Sequence, residues 1–232
     1  AFNTFDTTAL ETAAGLARPL PAADVEVTEG RGEIGATVTW KPNGTYGVTA
    51  GLKAETSTLR ATGDVNLQRD FTYAKPRIIL TWSPRKNTQL RLRSEYEVSQ
   101  ISFSNFAAAV EYNGVVRAGN PGLRPRRAQV TEAVLEQQFW TGASLVTTLR
   151  HQAIRDLVDT RLAPGFGTSL EIGNIGRARW TDLSGTVTLP LKRFGFDGVM
   201  VKGSLTRTWT QAVDPTTAQR RRISDAADLN GD

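Results

Sequence analysis

Residues 88–99 alternate almost without exception between apolar and polar side chains. The apolar set is Leu90, Leu92, Tyr96 and Val98, and the polar set is Gln89, Arg91, Arg93, Glu95 and Glu97. A period of two indicates a β-strand, because successive side chains of a strand point to opposite faces. Soluble strands usually have about 5–6 residues, whereas a tilted strand that crosses a bilayer needs about 9–11. Charged side chains on one face of such a strand require water, which the lumen of a transmembrane barrel provides.

The same alternation predicts further strands along the chain. These strands cover residues 33–41, 45–59, 77–82, 128–139, 143–155, 177–191 and 197–210, with weaker candidates at 8–14 and 24–29. Helical periodicity does not extend beyond a few turns anywhere, which leaves little room for an α/β architecture. We therefore predict an all-β fold, an antiparallel up-and-down transmembrane β-barrel, of which this chain supplies a partial barrel of about 8–10 strands.

The predicted connections are alternately short and long. The short ones are 42–44, 83–87, 141–142 and 192–195, and the long ones are 60–72, 100–126, 157–175 and the polar tail. Alternate connections of an up-and-down sheet lie at opposite ends, so one end carries tight turns and the other carries large loops. Outer-membrane barrels have this asymmetry, with short periplasmic turns and long extracellular loops.

Many aromatic residues lie beside the short turns. They are Trp40, Tyr46, Trp82, Phe139, Trp140, Phe194 and Phe196. Membrane barrels concentrate aromatic side chains in girdles at the lipid–water interfaces, whereas a soluble protein could use the same residues to close one end of its core. Since all of these aromatics fall at one predicted end, we favour a girdle.

Composition narrows the chemistry that the chain can perform. Hydrophobic residues make up 39% of the 232 residues, and no apolar run approaches the roughly 18 residues of a membrane helix. The absence of cysteine excludes a disulfide framework and a thiolate metal site, and a single histidine leaves few ligands for zinc. The net charge of +5 is spread over strands and loops, so we predict neither nucleic-acid binding nor a cofactor.

Four segments carry a resemblance to a known family. They are residues 71–77 (FTYAKPR), 119–125 (GNPGLRP), 173–176 (GNIG), and 213–217 (VDPTT) followed by 221–224 (RRIS). Each segment alone is weak, but in this order, at long loops and strand junctions, they resemble the TonB-dependent outer-membrane receptors common in alphaproteobacteria. The resemblance covers residues 30–225.

The resemblance implies a location in the bacterial outer membrane and a barrel of about 22 strands around an N-terminal plug. It also implies active import of a scarce nutrient, such as a siderophore, a vitamin or a glycan, driven by the proton gradient through the TonB complex. The expected partners are outer-membrane lipid and lipopolysaccharide, the protein's own plug domain, TonB through that plug, and a small-molecule ligand. Residues 1–232 are then expected to be a single barrel portion that lacks the plug and the C-terminal strands.

Candidate binding residues lie on the long loops. They are Arg117, Asn120, Arg124, Arg126, Arg220, Arg221 and Arg222. Arginine suits carboxylates and phosphates because its planar fork donates two hydrogen bonds at once, so a transported ligand and the phosphates of lipopolysaccharide remain alternatives. On the inner wall, Arg91, Arg93, Glu95 and Glu97 are expected to face the lumen and to form ion pairs.

Two other functional classes are alternatives to an importer. A self-contained small barrel, acting as a passive pore or an adhesin, would require the first and last strands to pair. An outer-membrane enzyme would require a nucleophile and a base, but His151 alternates with Leu149 and Ala153 on the expected lipid face, and no Gly-x-Ser-x-Gly elbow is present. We therefore do not predict an enzyme.

Overall fold

The structure is a computed structural model. It describes residues 2–13, 16–63, 66–102, 105, 109–110, 116–117, 120, 122–162, 170–224, 226–227 and 229–231. Within these residues the chain is almost entirely β-strand, with a 3-10 turn at Leu191–Phe194 and no α-helix. No helix in the described part has both the length and the apolar character needed to cross a membrane.

Nine long strands form the body of the fold. They are β1 (Phe2–Ala13), β2 (Leu16–Trp40), β3 (Tyr46–Gly63), β4 (Leu67–Arg85), β5 (Thr88–Val98), β8 (Arg127–Trp140), β9 (Ala143–Arg155), β12 (Ala178–Pro190) and β13 (Met200–Val213). The shorter strands are β6 (Ala109–Val110), β7 (Val116–Arg117), β10 (Val158–Leu162), β11 (Leu170–Asn174), β14 (Arg220–Arg221) and β15 (Leu229–Gly231).

The long strands pair with their neighbours in chain order, each pair antiparallel. The sheet order is β1-β2-β3-β4-β5-β8-β9-β12-β13, and β14 and β15 both add to β13 to make an 11-stranded sheet. The sheet is open, because β1 and β13 do not pair with each other within the described residues. An antiparallel up-and-down partial barrel, as predicted, is therefore confirmed.

Local sequence explains the tight turns between long strands. The side chain of Asn43 accepts hydrogen bonds from the backbone of Thr45 at 2.9 Å and of Tyr46 at 3.0 Å, which closes the β2–β3 turn. Gly142, between β8 and β9, has φ +80°, a conformation that glycine adopts without strain. The β12–β13 connection is longer than predicted, since it includes the 3-10 turn and runs to Met200.

The loop end differs from the sequence prediction in its detail. Residues 60–72 were expected to be a polar connection, but β3 continues to Gly63 and β4 begins at Leu67. The two weak strand candidates are real, and 24–29 is the middle of the 25-residue β2. The expected loop 157–175 contains the β10–β11 hairpin, and 100–126 contains the small β6–β7 hairpin.

Candidate membrane face, inner wall and loop cluster

An apolar band covers the outward face of the sheet near the tight turns. Leu80, Leu92, Ala133, Leu149 and Leu183 are successive partners in one lateral row from β4 to β12. Leu92, Leu149 and Leu183 are 42%, 48% and 42% exposed, so no other layer of the described chain packs over them.

The band has a height that suits a bilayer. On β3 it runs from Tyr46 to Ala54, which is about 27 Å along a strand and about 20 Å of height at a tilt near 40°. Outer-membrane barrels present a band of roughly 25 Å. The outward apolar rows therefore have the exposure and the approximate height of a lipid-contacting surface.

The aromatic residues near the tight turns are mostly exposed at the lower edge of this band. Trp40, Tyr46, Trp82, Phe139, Phe194 and Phe196 have exposures between 43% and 62%. Trp140 differs, because its ring packs edge-on against Phe194 at 6.1 Å and lies under the guanidinium of Arg193 at 5.3 Å. The structure thus places these aromatic residues together at the tight-turn end, with Trp140 packed against the adjacent turn.

Two further aromatics that the sequence reasoning missed lie at the opposite edge of the band. Trp209 is 48% exposed on the outward side of β13, with the guanidinium of Arg207 at 5.8 Å from its ring. Tyr96 pairs in register with Gln129 on the outward face. His151 lies at this level too, where its Nδ1 and the Thr181 hydroxyl share a hydrogen bond of 2.8 Å. This outward position agrees with the parity argument.

Beyond the band, toward the loops, the two faces exchange character. On β3 the inward side chains of Leu59 and Ala61 are 3% and 0% exposed. The outward Thr58 donates to Asp70 at 2.6 Å. The outward face is therefore apolar only within the band, because the strands continue past the band and their outward side chains become polar there.

Loop residues cover the apolar inner face at this end. One buried cluster joins Val27, Leu59 and Ala61 of the strands to Leu123 of the loop before β8. A second joins inward residues of β8, β9, β12 and β13 to loop residues; its members are Ala128, Val130, Ile154, Leu157, Ile175, Ala178, Ala212 and Ile223. The loops are thus held on the sheet by buried apolar contacts.

The middle of the inner wall carries a charge network. Arg93 donates to Glu95 at 3.0 Å and to Glu132 at 3.1 Å, and Arg150 donates to Glu97 at 3.2 Å. Of the four residues predicted to face the lumen, Arg91, Arg93, Glu95 and Glu97, the structure places the last three in this cluster. Arg91 lies nearer the tight turns, is exposed, and has no ion pair with the described residues.

A second network on β2, β3 and β4 continues the inner wall. Lys75 contacts both Glu33 and Glu55, with 2.5 Å to Glu55. Arg31 binds Glu55 at 2.5 Å, and Lys53 binds Glu33 at 2.8 Å. The wall is therefore polar and largely neutralised by cross-strand pairs, which is the condition for a water-filled or plug-filled interior.

Two asparagines fasten the loops to each other. The side chain of Asn174 accepts from the backbone of Arg124 at 2.8 Å and donates to the carbonyls of Arg124 and Asp156 at 3.0 and 2.9 Å. Asn120 donates to the carbonyl of Ile172 at 3.0 Å. Both lie in segments that carried the family resemblance, and both act here as clasps between the β5–β8 loop and the β10–β11 hairpin.

Arg221 is the centre of the last loop. Its guanidinium donates to Asp159 at 2.9 Å, to Asp214 at 3.2 Å and to the carbonyl of Thr160 at 2.8 Å. Backbone donation from Thr217 and Thr216, together with Arg221, holds the pKa of Asp214 below its ordinary value. Arg221 therefore links two loops and has few donors left for a ligand.

The other candidate arginines take different positions. Arg126 is half-buried and donates to Gln152 at 2.6 Å, and Arg222 donates to the carbonyl of Ala226 at 2.9 Å. The side chain of Arg124 is exposed, and Arg220 is exposed beside Val213. The backbone of Arg117 belongs to β7, but its side chain lies outside the described residues. The structure thus does not gather the six candidates whose side chains are described into one pocket.

Within the described residues no group of three or more histidine, cysteine, aspartate or glutamate side chains could hold a metal ion.

The chain resembles known proteins in structure but not in sequence. No protein-family model and no curated protein sequence matches the chain. Solved structures do match. The copper transporter OprC superposes on 94% of the chain with a TM-score of 0.69 at 13% identity. The siderophore receptor PiuA from Acinetobacter baumannii covers 93% with a TM-score of 0.64 at 11% identity.

The FrpB iron transporter from Neisseria meningitidis covers 84% of the chain with a TM-score of 0.58 at 14% identity. The fold is that of a TonB-dependent receptor barrel. The chain spans about a third of the length of these proteins, 34% of OprC and 31% of PiuA. The nine long strands of the chain form an open sheet.

Proposed function

We propose that the chain is part of the outer-membrane barrel of a TonB-dependent receptor that imports a scarce nutrient with energy from the proton-motive force. The row of exposed leucines on the outward face carries this proposal. Apolar patches of this extent are unfavourable in water, whereas acyl chains cover them without that cost. Outer-membrane placement follows from the proposal, with the tight turns in the periplasm and the loop cluster outside the cell.

A ferric siderophore is the ligand class that we propose first. Two of the proteins with this fold are described as an iron transporter and a siderophore receptor. The exposed arginines at the loop end, Arg124 above all, suit the carboxylate or other oxyanion groups of such chelates. Vitamins, glycans and copper are the other ligand classes, and the uptake assay described below distinguishes them from a ferric siderophore.

The inner wall supports a second element of the proposal, a plug domain seated in the barrel. Arg93 is already paired with Glu95 and Glu132, and Arg150 with Glu97, so a polar domain can pack against this wall without leaving these arginines unpaired. Contact with the TonB complex would then pass through the plug.

The alternative of a small self-contained pore or adhesin has less support. Such a barrel must close, since an open sheet edge cannot be satisfied in hydrocarbon. Within the described residues β1 and β13 remain on opposite edges of the sheet. A larger importer barrel does not have this problem, because further strands would pair with both edges of the sheet.

The test is nutrient uptake by cells that lack the gene for the complete protein, compared with cells in which it is restored. The probes are ⁵⁵Fe-loaded hydroxamate and catecholate siderophores, cobalamin, maltodextrin and ionic copper, each with and without a protonophore. We expect the restored protein in the outer-membrane fraction and protonophore-sensitive uptake of a ferric siderophore. A restored protein that stays soluble, or uptake that survives the protonophore, overturns the proposal.

A pair of variants makes the test sharper. Arg124→Ala removes an exposed cation at the loop end, and Lys86→Ala removes one in a tight turn at the other end. We expect Arg124→Ala to raise the siderophore concentration for half-maximal uptake, with Lys86→Ala unchanged. Equal effects in both variants argue against ligand capture at the loop end.

A further inference from the structure

The inner wall changes in charge between its middle and the tight-turn end. In the two networks of the middle, every lysine and arginine has a carboxylate partner at 3.2 Å or less. At the edge of these networks nearer the tight turns, Arg77 still has Glu95 at 3.7 Å. A solute in the middle of the lumen therefore meets cations whose charge is already balanced.

Two cations of the long strands face inward between this edge and the tight turns. Arg91 precedes Arg93 by two positions on β5, so both side chains lie on the inner wall. Lys202 has the same parity on β13 as Thr208, whose hydroxyl donates to the inner-wall Asp182 at 2.8 Å. Lys202 therefore faces the lumen as well.

Lys41 joins them from the end of β2. Its side chain crosses the inner face of Gly47, where a Cβ atom would lie 3.5 Å from the Cγ of Lys41. Gly47 pairs with Thr81, and Thr81 pairs with Arg91. Neighbouring strands are about 4.8 Å apart, so the positions of Gly47 and Arg91 lie in one row, about 10 Å apart.

The charge of these three residues, which we call the inner rim, is not balanced by the described chain. Lys41, Arg91 and Lys202 are exposed and form no ion pair with the described residues. Among the described long strands, Glu136 is the single inward carboxylate between Arg77 and the tight turns, and the remaining inward residues are uncharged. The lumen thus has an excess of positive charge at this end.

We infer that Lys41, Arg91 and Lys202 are specificity-determining residues of the transport step, and that the nutrient is a chelate with a net negative charge. The inference rests on the proposed function and deepens it, because a solute that enters at the loops must pass the inner rim to reach the periplasm. Ferric catecholates are anions of this kind, whereas ferric hydroxamates and maltodextrins are neutral and copper ions are positive.

The position of the inner rim suits release more than capture. A balanced wall in the middle holds an anion weakly, and the unbalanced cations beyond it attract the anion toward the tight-turn end. Because the three side chains are exposed to water, their attraction is screened over about 8 Å, and the anion can leave again. The inner rim is also separate from the loop arginines, which lie at the opposite end of the strands.

The test measures capture and transport separately in cells that lack the gene and carry the complete protein or a variant. Binding of ⁵⁵Fe-loaded catecholate and hydroxamate siderophores is measured with a protonophore present, and the maximum uptake rate is measured without it. The inner-rim variant is Lys41→Gln/Arg91→Gln/Lys202→Gln. The control variant Arg85→Gln/Lys86→Gln/Lys192→Gln removes the same charge from exposed residues in or beside the tight turns.

We expect the wild type to import the ferric catecholate in preference to the neutral ferric hydroxamate. The inner-rim variant should lower the maximum rate for the catecholate on the order of threefold or more, with binding affinity unchanged, because the lost cations act over about one Debye length. The control variant should keep the wild-type rate. Lys41→Arg/Arg91→Lys/Lys202→Arg, which keeps the charge, should keep most of the rate.

A second measurement guards against a purely structural role for the inner rim. The tryptic fragment pattern of the purified complete protein shows whether another domain has been displaced from the lumen. An altered pattern in the inner-rim variant, with equal losses for catecholate and hydroxamate, overturns the inference in favour of domain packing. Arg91→Gln alone, with a smaller expected loss, replaces the triple variant if the latter does not reach the outer membrane.

The remaining outcomes separate this inference from the proposed function. Protonophore-sensitive import of the neutral hydroxamate but not of the catecholate overturns the inference and leaves the importer intact. Equal catecholate rates in the wild type and the inner-rim variant, or equal losses in the inner-rim and control variants, also overturn the inference alone. Absence of protonophore-sensitive uptake of every probe overturns the proposed function, and the inference with it.

Discussion

Arg93 and Glu132 are direct partners across β5 and β8, and Nη2 of Arg93 donates to Oε2 of Glu132 at 3.1 Å. The register continues from Glu132 to Arg150 and from Arg150 to Asp182, so charges of opposite sign alternate across four strands of the inner wall. Each complementary cross-strand pair contributes roughly 0.2–1 kcal/mol to a sheet. The alternation allows a charged inner wall without a requirement for bound counter-ions.

Removing one charge from this row should destabilise the barrel. For Glu132→Gln we expect the free energy of unfolding to fall by about 1 kcal/mol, because Arg93 is half-buried and loses an ionic partner. Urea unfolding of the complete protein in lipid vesicles measures this. Asp197→Asn is the matched control, since Asp197 is 82% exposed and 3.6 Å from Lys192. Equal losses in the two variants contradict a special role for the row.

The strands and the sorting of the connections could be predicted from the sequence because both are local. Alternation over residues 88–99 identifies β5 directly, and the Asn43-Gly44 signal identifies the β2–β3 turn. The position of the aromatic residues beside the tight turns could be predicted as well, because the limits of each strand give the distance of a residue from the turn.

The exchange of faces beyond the band could not be predicted in this way. Alternation assigns residues to two sides but does not tell where the hydrocarbon ends. Leu59 was therefore expected to end a strand and Ala61 to lie in a polar connection, although both are buried beneath loop residue Leu123. Covering the inner face requires contacts between residues far apart in the chain, which a local pattern does not contain.

The roles of the loop arginines show the same limit. Arg221 was chosen as a ligand contact because of its residue type, but its donors bind Asp159 and Thr160, some sixty positions earlier in the chain. Arg179, which is exposed beside Ala153 on the outward face, was not selected because it lies within a predicted strand and not on a loop. Residue type indicates the chemistry, whereas only the fold shows which groups are already satisfied.

The outward band gives a test of membrane placement. For Leu149→Arg we expect a loss of about 2–4 kcal/mol in the free energy of unfolding in lipid vesicles, since this is the cost of an arginine on the lipid face near the bilayer midplane. The side chain of Leu149 is 48% exposed, so steric overlap with the described protein is not the cause.

Thr56→Arg is the control for this prediction. Thr56 is exposed on β3 beyond the apolar band, so we expect a change of about 0–1 kcal/mol. The loss in the free energy of unfolding is measured for both variants by the same urea titration. Comparable tolerance of arginine at both positions would mean that the leucine row does not contact hydrocarbon.

The asparagine clasp makes a third prediction. Asn174→Asp keeps the shape of the side chain but removes the amide donors that bind the carbonyls of Arg124 and Asp156. A carboxylate would face two carbonyl oxygens, so we expect local destabilisation of about 1–3 kcal/mol. Hydrogen exchange of residues 122–126 and 170–174 should quicken, while exchange in β4 and β5 stays the same. Unchanged exchange in both loop segments would contradict the clasp.

The loop after β13 should respond to acid through Asp214. Its pKa lies below the ordinary value of 3.8, first because Thr217 and Thr216 donate backbone hydrogen bonds to it, and Arg221 adds to this effect. A carboxylate with a lowered folded pKa stabilises the fold above its unfolded pKa, and this stabilisation disappears as the pH falls through the folded value. Amide exchange at residues 216–217, corrected for the intrinsic rate, should therefore be constant from neutral pH to about pH 5 and rise below about pH 4. Asp214→Asn should abolish the rise, and a rise that persists in this variant would assign the acid response to another group.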